Sequence, residues 1–135
     1  MKKIAFEDLI RISETSEQFL LKVQALFADP SNQPTASAVK ALCPTGVENT
    51  ATLGSYPPGG IFCYQFASSD EKRIVVKYHR ADPDAAGGPT CNSAKGCTAQ
   101  IRIGNRFVFF DHDNQEVKTV RNDQRNWTHL PIQDF

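Results

Sequence analysis

The sequence predicts an α+β fold, with N-terminal helices packed on a twisted antiparallel β-sheet of about five strands. Three observations predict it. Apolar residues recur at helical spacing before residue 45 and at alternate positions after residue 61. Short turn-forming clusters separate the later runs, as in a meander. Helices first and neighbouring antiparallel strands second is the pattern of an α+β chain.

Residues 4–12 (IAFEDLIRI) predict a short helix, because Phe6, Leu9 and Ile10 fit the i, i+3, i+4 spacing. A second helix follows, with Phe19, Leu20, Val23, Leu26 and Phe27 on one stripe. Thr15 with Gln18 reads as its capping box, Ser13 as an alternative cap, and Asp29-Pro30 as its stop. The stripe is a face for packing on the sheet. Residues 35–42 predict a short capped helix, and the Pro- and Gly-punctuated remainder of 30–60 an irregular wrap over one core. From Ile61 the period becomes two. Residues 61–80 predict a hairpin that turns at Ser68-Ser69-Asp70-Glu71. Residues 98–103 and 106–111 predict strands joined by the two-residue turn Gly104-Asn105, and residues 116–121 a last strand. The 135 residues read as one domain: 1–45 mainly helical, 61–121 an antiparallel meander, 122–135 a C-terminal segment.

Fifteen basic and fifteen acidic side chains balance, and 40% of the chain is hydrophobic. That composition suits a folded chain and excludes a polybasic nucleic-acid-binding tail. The second half leans basic, so any nucleic acid is held by a local patch. No apolar run is long enough to span a membrane, and no apolar segment follows Met1-Lys2-Lys3, so neither a membrane partner nor a signal peptide is expected. Cys43, Cys63, Cys91 and Cys97 lack zinc-site spacing, and no metal or cofactor is expected. Their spacing leaves free thiols and a Cys91–Cys97 bridge both open. Phosphate-binding P-loops, GxSxG elbows and HExxH helices are missing from the sequence.

The chemistry concentrates in residues 72–104. Lys77 and His79 are two apart on a strand and share a face, while Ile74, Val76 and Tyr78 take the other. Arg102 lies with Thr98 and Gln100 on the polar face of the next strand. Histidine is the side chain best suited to proton transfer near neutral pH. Metal-independent RNA cleavage needs a base for the 2′-hydroxyl, an acid for the leaving 5′-oxygen and a cation for the crowded phosphate. His79 and His129 are the candidate acid/base pair. Lys77 or Arg102 is the candidate cation, and Thr128 or Ser93 the group that positions the phosphate. Asn92, Ser93, Arg80 and Trp127 are the candidate substrate-binding residues. His112, in the turn-like DHDN stretch, is given no role. Residues 81–96 show no secondary-structure pattern, and a loop that long is expected to wall the site. Its glycines make its amides candidates for an anion nest.

Residues 79–111 (HRADPDAAGGPTCNSAKGCTAQIRIGNRFVFFD) and the closing WTHLPIQ resemble the C-terminal toxin domains of bacterial polymorphic toxin systems, and among them the polymorphic toxin type 30 domain. The positions that carry the resemblance are His79, Asp82-Pro83, Asn92-Ser93, residues 96–101, Arg102 and Thr128-His129-Leu130-Pro131-Ile132. It covers about residues 73–133. The Cys91 and Cys97 pair and His112 depart from the pattern, and the first 70 residues resemble nothing placed. The resemblance implies a ribonuclease toxin, secreted or delivered by a specialised secretion system, acting on RNA in the cytoplasm of a target cell and blocked by a cognate immunity protein.

Two other readings compete. One is a NAD-dependent ADP-ribosyltransferase toxin, with Tyr78-His79-Arg80 holding the dinucleotide and Glu116 as catalytic acid, although the usual close pair of glutamates is missing. The other is a non-enzymatic binding or immunity protein whose histidines are incidental.

Overall fold

The computed structural model describes residues 4–51, 59–85, 87–122 and 126–135. The chain forms helices α1 (Ser16–Phe27) and α2 (Ala36–Lys40), then strands β1 (Ile61–Ala67) and β2 (Arg73–His79). A one-turn helix α3 (Asn92–Lys95) precedes β3 (Thr98–Ile103), β4 (Arg106–Asp111), β5 (Glu116–Val120) and the two-residue β6 (Leu130–Pro131). The architecture is the expected α+β fold, helices against one antiparallel sheet. The strands run in sequence order from β1 to β5, and β6 adds a sixth.

Local chemistry explains the elements that matched. Thr15 and Gln18 close a reciprocal capping box on α1, which satisfies two backbone donors that the helix cannot pair internally. Its stripe buries Phe19, Val23 and Phe27 against the sheet, and Phe19 meets Phe66 edge-on at 5.6 Å. Gln24 ties the helix to β5 by donating to the Val117 carbonyl at 2.9 Å. Thr35 caps α2, which buries Val39. In the sheet, Phe66, Ile74, Val76, Ile101 and Val108 are wholly buried on the helix side. One core cluster joins both helices to β1 through β6. Gly104 holds a φ of 62° in the turn between β3 and β4, a conformation that costs glycine little.

The first expected helix does not form. Residues 4–12 make only a 3-10 turn at Phe6–Asp8 and then run extended. The Ala67 amide donates to the Ile10 carbonyl and the Ile12 amide to the Ala67 carbonyl, both at 2.8 Å. The outer edge of β1 needs partners for its backbone groups, and this pairing outweighs a short helix that would bury little. The same edge is sealed further along by the 30–60 wrap. The Thr50 amide donates to the Cys63 carbonyl at 2.8 Å, and the Cys63 amide donates to Asn49 Oδ1 at 3.0 Å.

The C-terminal segment is the other departure. It is not a tail beyond the meander but supplies β6, paired to β3 through Thr98↔Pro131 and Ala99↔Leu130. Only Arg102 and Ile103 of β3 pair with β4. The far edge of β3 is thus shared, β4 at one end and β6 at the other. Among the described residues, no helix is long and apolar enough to cross a membrane.

Candidate active site

Directly opposed residues of antiparallel strands project on the same face. His79 therefore stands between Ile61 on β1 and Thr98 on β3, with Pro131 of β6 beyond Thr98. Lys77 stands in the next row between Cys63 and Gln100. Alternation along the C-terminal segment sends Leu130 into the core and His129 to the face that carries His79.

The imidazoles of His79 and His129 face each other with ring centres 6.2 Å apart and planes inclined by 63°. That is too far for the rings to hydrogen-bond one another, which needs nitrogens about 3 Å apart. Two hollows meet at the pair. One, of about 150 Å3, is walled by Asp82, Gly87, Cys91, Ser93 and Asn126. The other, of about 170 Å3, holds Lys77 and Gln100. The 81–96 loop therefore lines one side of the cleft and the sheet the other.

His79 Nδ1 lies 2.6 Å from the Arg80 carbonyl oxygen. A carbonyl only accepts, so Nδ1 carries the hydrogen and Nε2 is the nitrogen left to take up or release a proton. His129 is held through its backbone. Asn92 Nδ2 donates to the carbonyls of Asn126 and His129 at 2.8 and 3.0 Å, and the Asn92 amide donates to Asn126 Oδ1 at 2.8 Å. Asn92, expected from sequence to contact substrate, commits its side-chain NH2 to the segment that carries His129. Thr128 is likewise fully buried, and its hydroxyl accepts from Gln100 Nε2 at 3.2 Å. It anchors the segment behind His129 instead of meeting a phosphate.

The remaining expected residues divide. Lys77 lines the sheet-side hollow and has no hydrogen-bond or ion-pair partner among the described residues. Arg102 is on the same face but two rows from His79. Its Nε donates to the Gly104 carbonyl at 2.8 Å and its guanidinium lies over Phe107, which leaves Lys77 as the candidate cation beside the histidine pair. Arg80 turns away from the cleft. Its guanidinium stacks 4.4 Å from the centre of the Phe135 ring and Nε donates to the Phe135 carbonyl. Ser93 is buried in the loop-side wall, and its carbonyl accepts from the Asp82 amide at 2.7 Å. Trp127 is 59% exposed and stacks on Phe109.

The loop is more structured than its sequence pattern showed. It contains α3, and its Asp82, Asp84, Ala85, Gly88, Cys91 and Ala94 amides all donate within the loop. Amides spent this way are not free to cradle a phosphate, which narrows the anion-nest expectation to the rest of the loop. All four cysteines are free. Burial pushes the Cys43 thiol up to about 12 and raises Cys63 as well, which makes both poor nucleophiles. Among the described residues, no group of three or more His, Cys, Asp and Glu is placed to hold a metal.

Sequence reasoning assigned no role to Thr98. It is 1% exposed, lies between His79 and Pro131, and its hydroxyl has no hydrogen-bond partner among the described residues. A buried hydroxyl without a partner costs stability and is rare in folded proteins. Its place on the row of His79 is known only once the register is known.

Comparison with protein-family models, with curated proteins and with solved structures finds no match to the chain.

Proposed function

We propose that the chain is a metal-independent ribonuclease of the toxin type, cutting RNA by acid/base chemistry between His79 and His129. The observation that carries this reading is the facing imidazole pair in a cleft that also holds Lys77. The fixed hydrogen on His79 Nδ1 supports His79 as the base. Its Nε2 removes the proton from the 2′-hydroxyl. The 2′-oxygen attacks phosphorus and forms the new P–O bond. The bond from phosphorus to the 5′-oxygen breaks, and protonated His129 supplies the proton that this oxygen takes up. Lys77 offsets the charge that builds on the phosphate. The RNA substrate and a cognate immunity protein complete the proposal. Delivery into the cytoplasm of a rival cell belongs to it through the sequence resemblance.

Purified protein incubated with RNA tests the reading directly. Cleavage that disappears in both His79→Ala and His129→Ala, with melting curves intact, is the expected result. Full cleavage by either variant removes the assignment, and no cleavage by the wild-type chain removes the reading.

The ADP-ribosyltransferase reading loses its parts. Tyr78 is buried on the helix side, stacked 4.9 Å from Phe62. Glu116 lies on β5, at the opposite side of the sheet from β1, in an ion pair with Lys118. Tyr78 projects to the opposite face from His79, and Glu116 lies three strands from β2.

A further inference from the structure

Behind the C-terminal segment that carries His129 lies a larger pocket of about 340 Å3. It opens where the segment leaves β3, between the end of α1, the loop that follows it, and β4. Phe27, Phe110 and Leu130 form an apolar floor, and Trp127, Asn126 and His112 stand at the rim. Asn126 also walls the loop-side hollow beside His79 and His129, so the two cavities share a partition. Asn126 Oδ1 accepts from the Asn92 amide, which fixes the side-chain orientation. The Nδ2 group is then the end of that amide available to a ligand.

We propose that this pocket takes a nucleobase of single-stranded RNA next to the phosphate held by the histidines. The occupant rests on the ribonuclease reading above, but the pocket chemistry argues for it separately. A base is a flat, largely apolar ring with polar edges. It requires an aromatic surface for its face and amide or imidazole groups for its edge, and stacking on an aromatic side chain is the sequence-tolerant way to hold it. Trp127 is well exposed, although its ring already lies against Phe109. A ring pre-set by a neighbour loses little freedom when a base stacks on it. The volume is in the range of small-molecule sites, and the partition shared with the catalytic cleft is where a base flanking the scissile phosphate has to lie.

Trp127 is the single tryptophan of the chain, so its fluorescence reports on the pocket directly. Titration with each of the four ribonucleoside 3′-monophosphates is expected to change its emission saturably, while ribose 5-phosphate, which has no base, leaves it unchanged. His112→Ala is expected to weaken the response without moving the melting temperature. Trp127→Ala is expected to raise KM for RNA by about tenfold or more, in keeping with the loss of one stack, and to leave kcat nearly unchanged. Equal responses to nucleotide and ribose 5-phosphate overturn the pocket. So do unaltered emission and unaltered KM in a protein that cuts RNA. Saturable binding of nucleotide by a protein that cuts no RNA supports the base pocket and removes the ribonuclease reading.

Discussion

His79 and His129 are separated in the fold by a single strand: His79 pairs with Thr98 of β3, and the segment that carries His129 pairs with the other edge of β3. Strand pairing brings the two backbones close, and the Asn92 bonds to the Asn126 and His129 carbonyls hold the segment that carries His129. A sheet fixes positions more tightly than a loop does, and proton transfer is sensitive to small displacements.

The chemistry of the cut ends is diagnostic. Attack by the 2′-hydroxyl leaves a 2′,3′-cyclic phosphate on one fragment and a free 5′-hydroxyl on the other. Mass spectrometry of the products is expected to show both. A single 2′-deoxy substitution at the cut site is expected to abolish cleavage there, and a chelator to leave the rate unchanged. Because one histidine must be neutral and the other protonated, the rate is expected to fall on both the acid and the alkaline side. Products with 5′-phosphate ends would exclude the mechanism.

Thr98→Val is expected to separate stability from activity. Valine keeps the shape but removes a buried hydroxyl that lacks a partner among the described residues, so unfolding should become harder by about 1 kcal/mol. Cleavage is expected to weaken, because the hydroxyl shares a row with His79. Denaturant melts beside a kinetic assay measure both. A variant as active as wild type would leave Thr98 with no part in the site.

In the proposed mechanism Asn92 acts on His129 without touching the substrate. Asn92→Asp keeps the shape but sets a carboxylate against the carbonyls of Asn126 and His129. Repulsion then replaces two hydrogen bonds, and kcat should fall more than in Asn92→Ala, with KM little changed. The loss should be partly relieved in acid, where the new carboxyl is protonated. Equal kcat values for the two variants at every pH would count against this positioning role.

In the proposed mechanism Lys77 carries the charge compensation. Lys77→Met keeps the length of the stem and removes the cation, and is expected to lower kcat by a factor of about 100 or more, as the loss of an electrostatic stabiliser does elsewhere. Lys77→Arg should recover part of the rate. Kinetics of the pair decide it, and a Met variant at wild-type rate would sink the role.

Acid should weaken the join between the hairpin turn and α1. The Asp70 carboxylate accepts from the Ser16 hydroxyl at 2.6 Å and the Ser16 amide at 2.7 Å, and bonds from the Ser16 and Ser68 side chains and the Ser16 amide hold it well below its ordinary 3.8. A depressed carboxylate stabilises the fold fully above its ordinary value, and the contribution is lost as pH falls through that value towards the folded one. The melting temperature should therefore drop below about pH 4 more steeply in wild type than in Asp70→Asn. Parallel curves would show that Asp70 contributes nothing to acid sensitivity.

Much of this was legible before the structure. The capping box at Thr15 and Gln18 and the stripe of α1 are local patterns, and local patterns survive translation into structure when the face they define has a sheet to cover. The shared face of Lys77 and His79 followed from the pleat alone. Residues 4–12 depart from the expected helix because a helical spacing of three apolar residues is short, and the edge of β1 offers the same residues backbone partners. Arg102 was on the expected face, yet its guanidinium was drawn to the turn at Gly104, a contact that no alternation pattern encodes.

The amino-acid sequence by itself determined the α+β order, the face of each strand and the short roster of residues able to move protons. Those properties depend on periods of two and 3.6 and on side-chain chemistry, both of which are local. Tertiary structure alone decided which of those residues meet. The pairing of Leu130 and Pro131 with the edge of β3 is non-local, and it brings His129 beside His79, commits Asn92 and Thr128 to the segment that carries His129, and sets Thr98, whose hydroxyl has no partner among the described residues, on the same row.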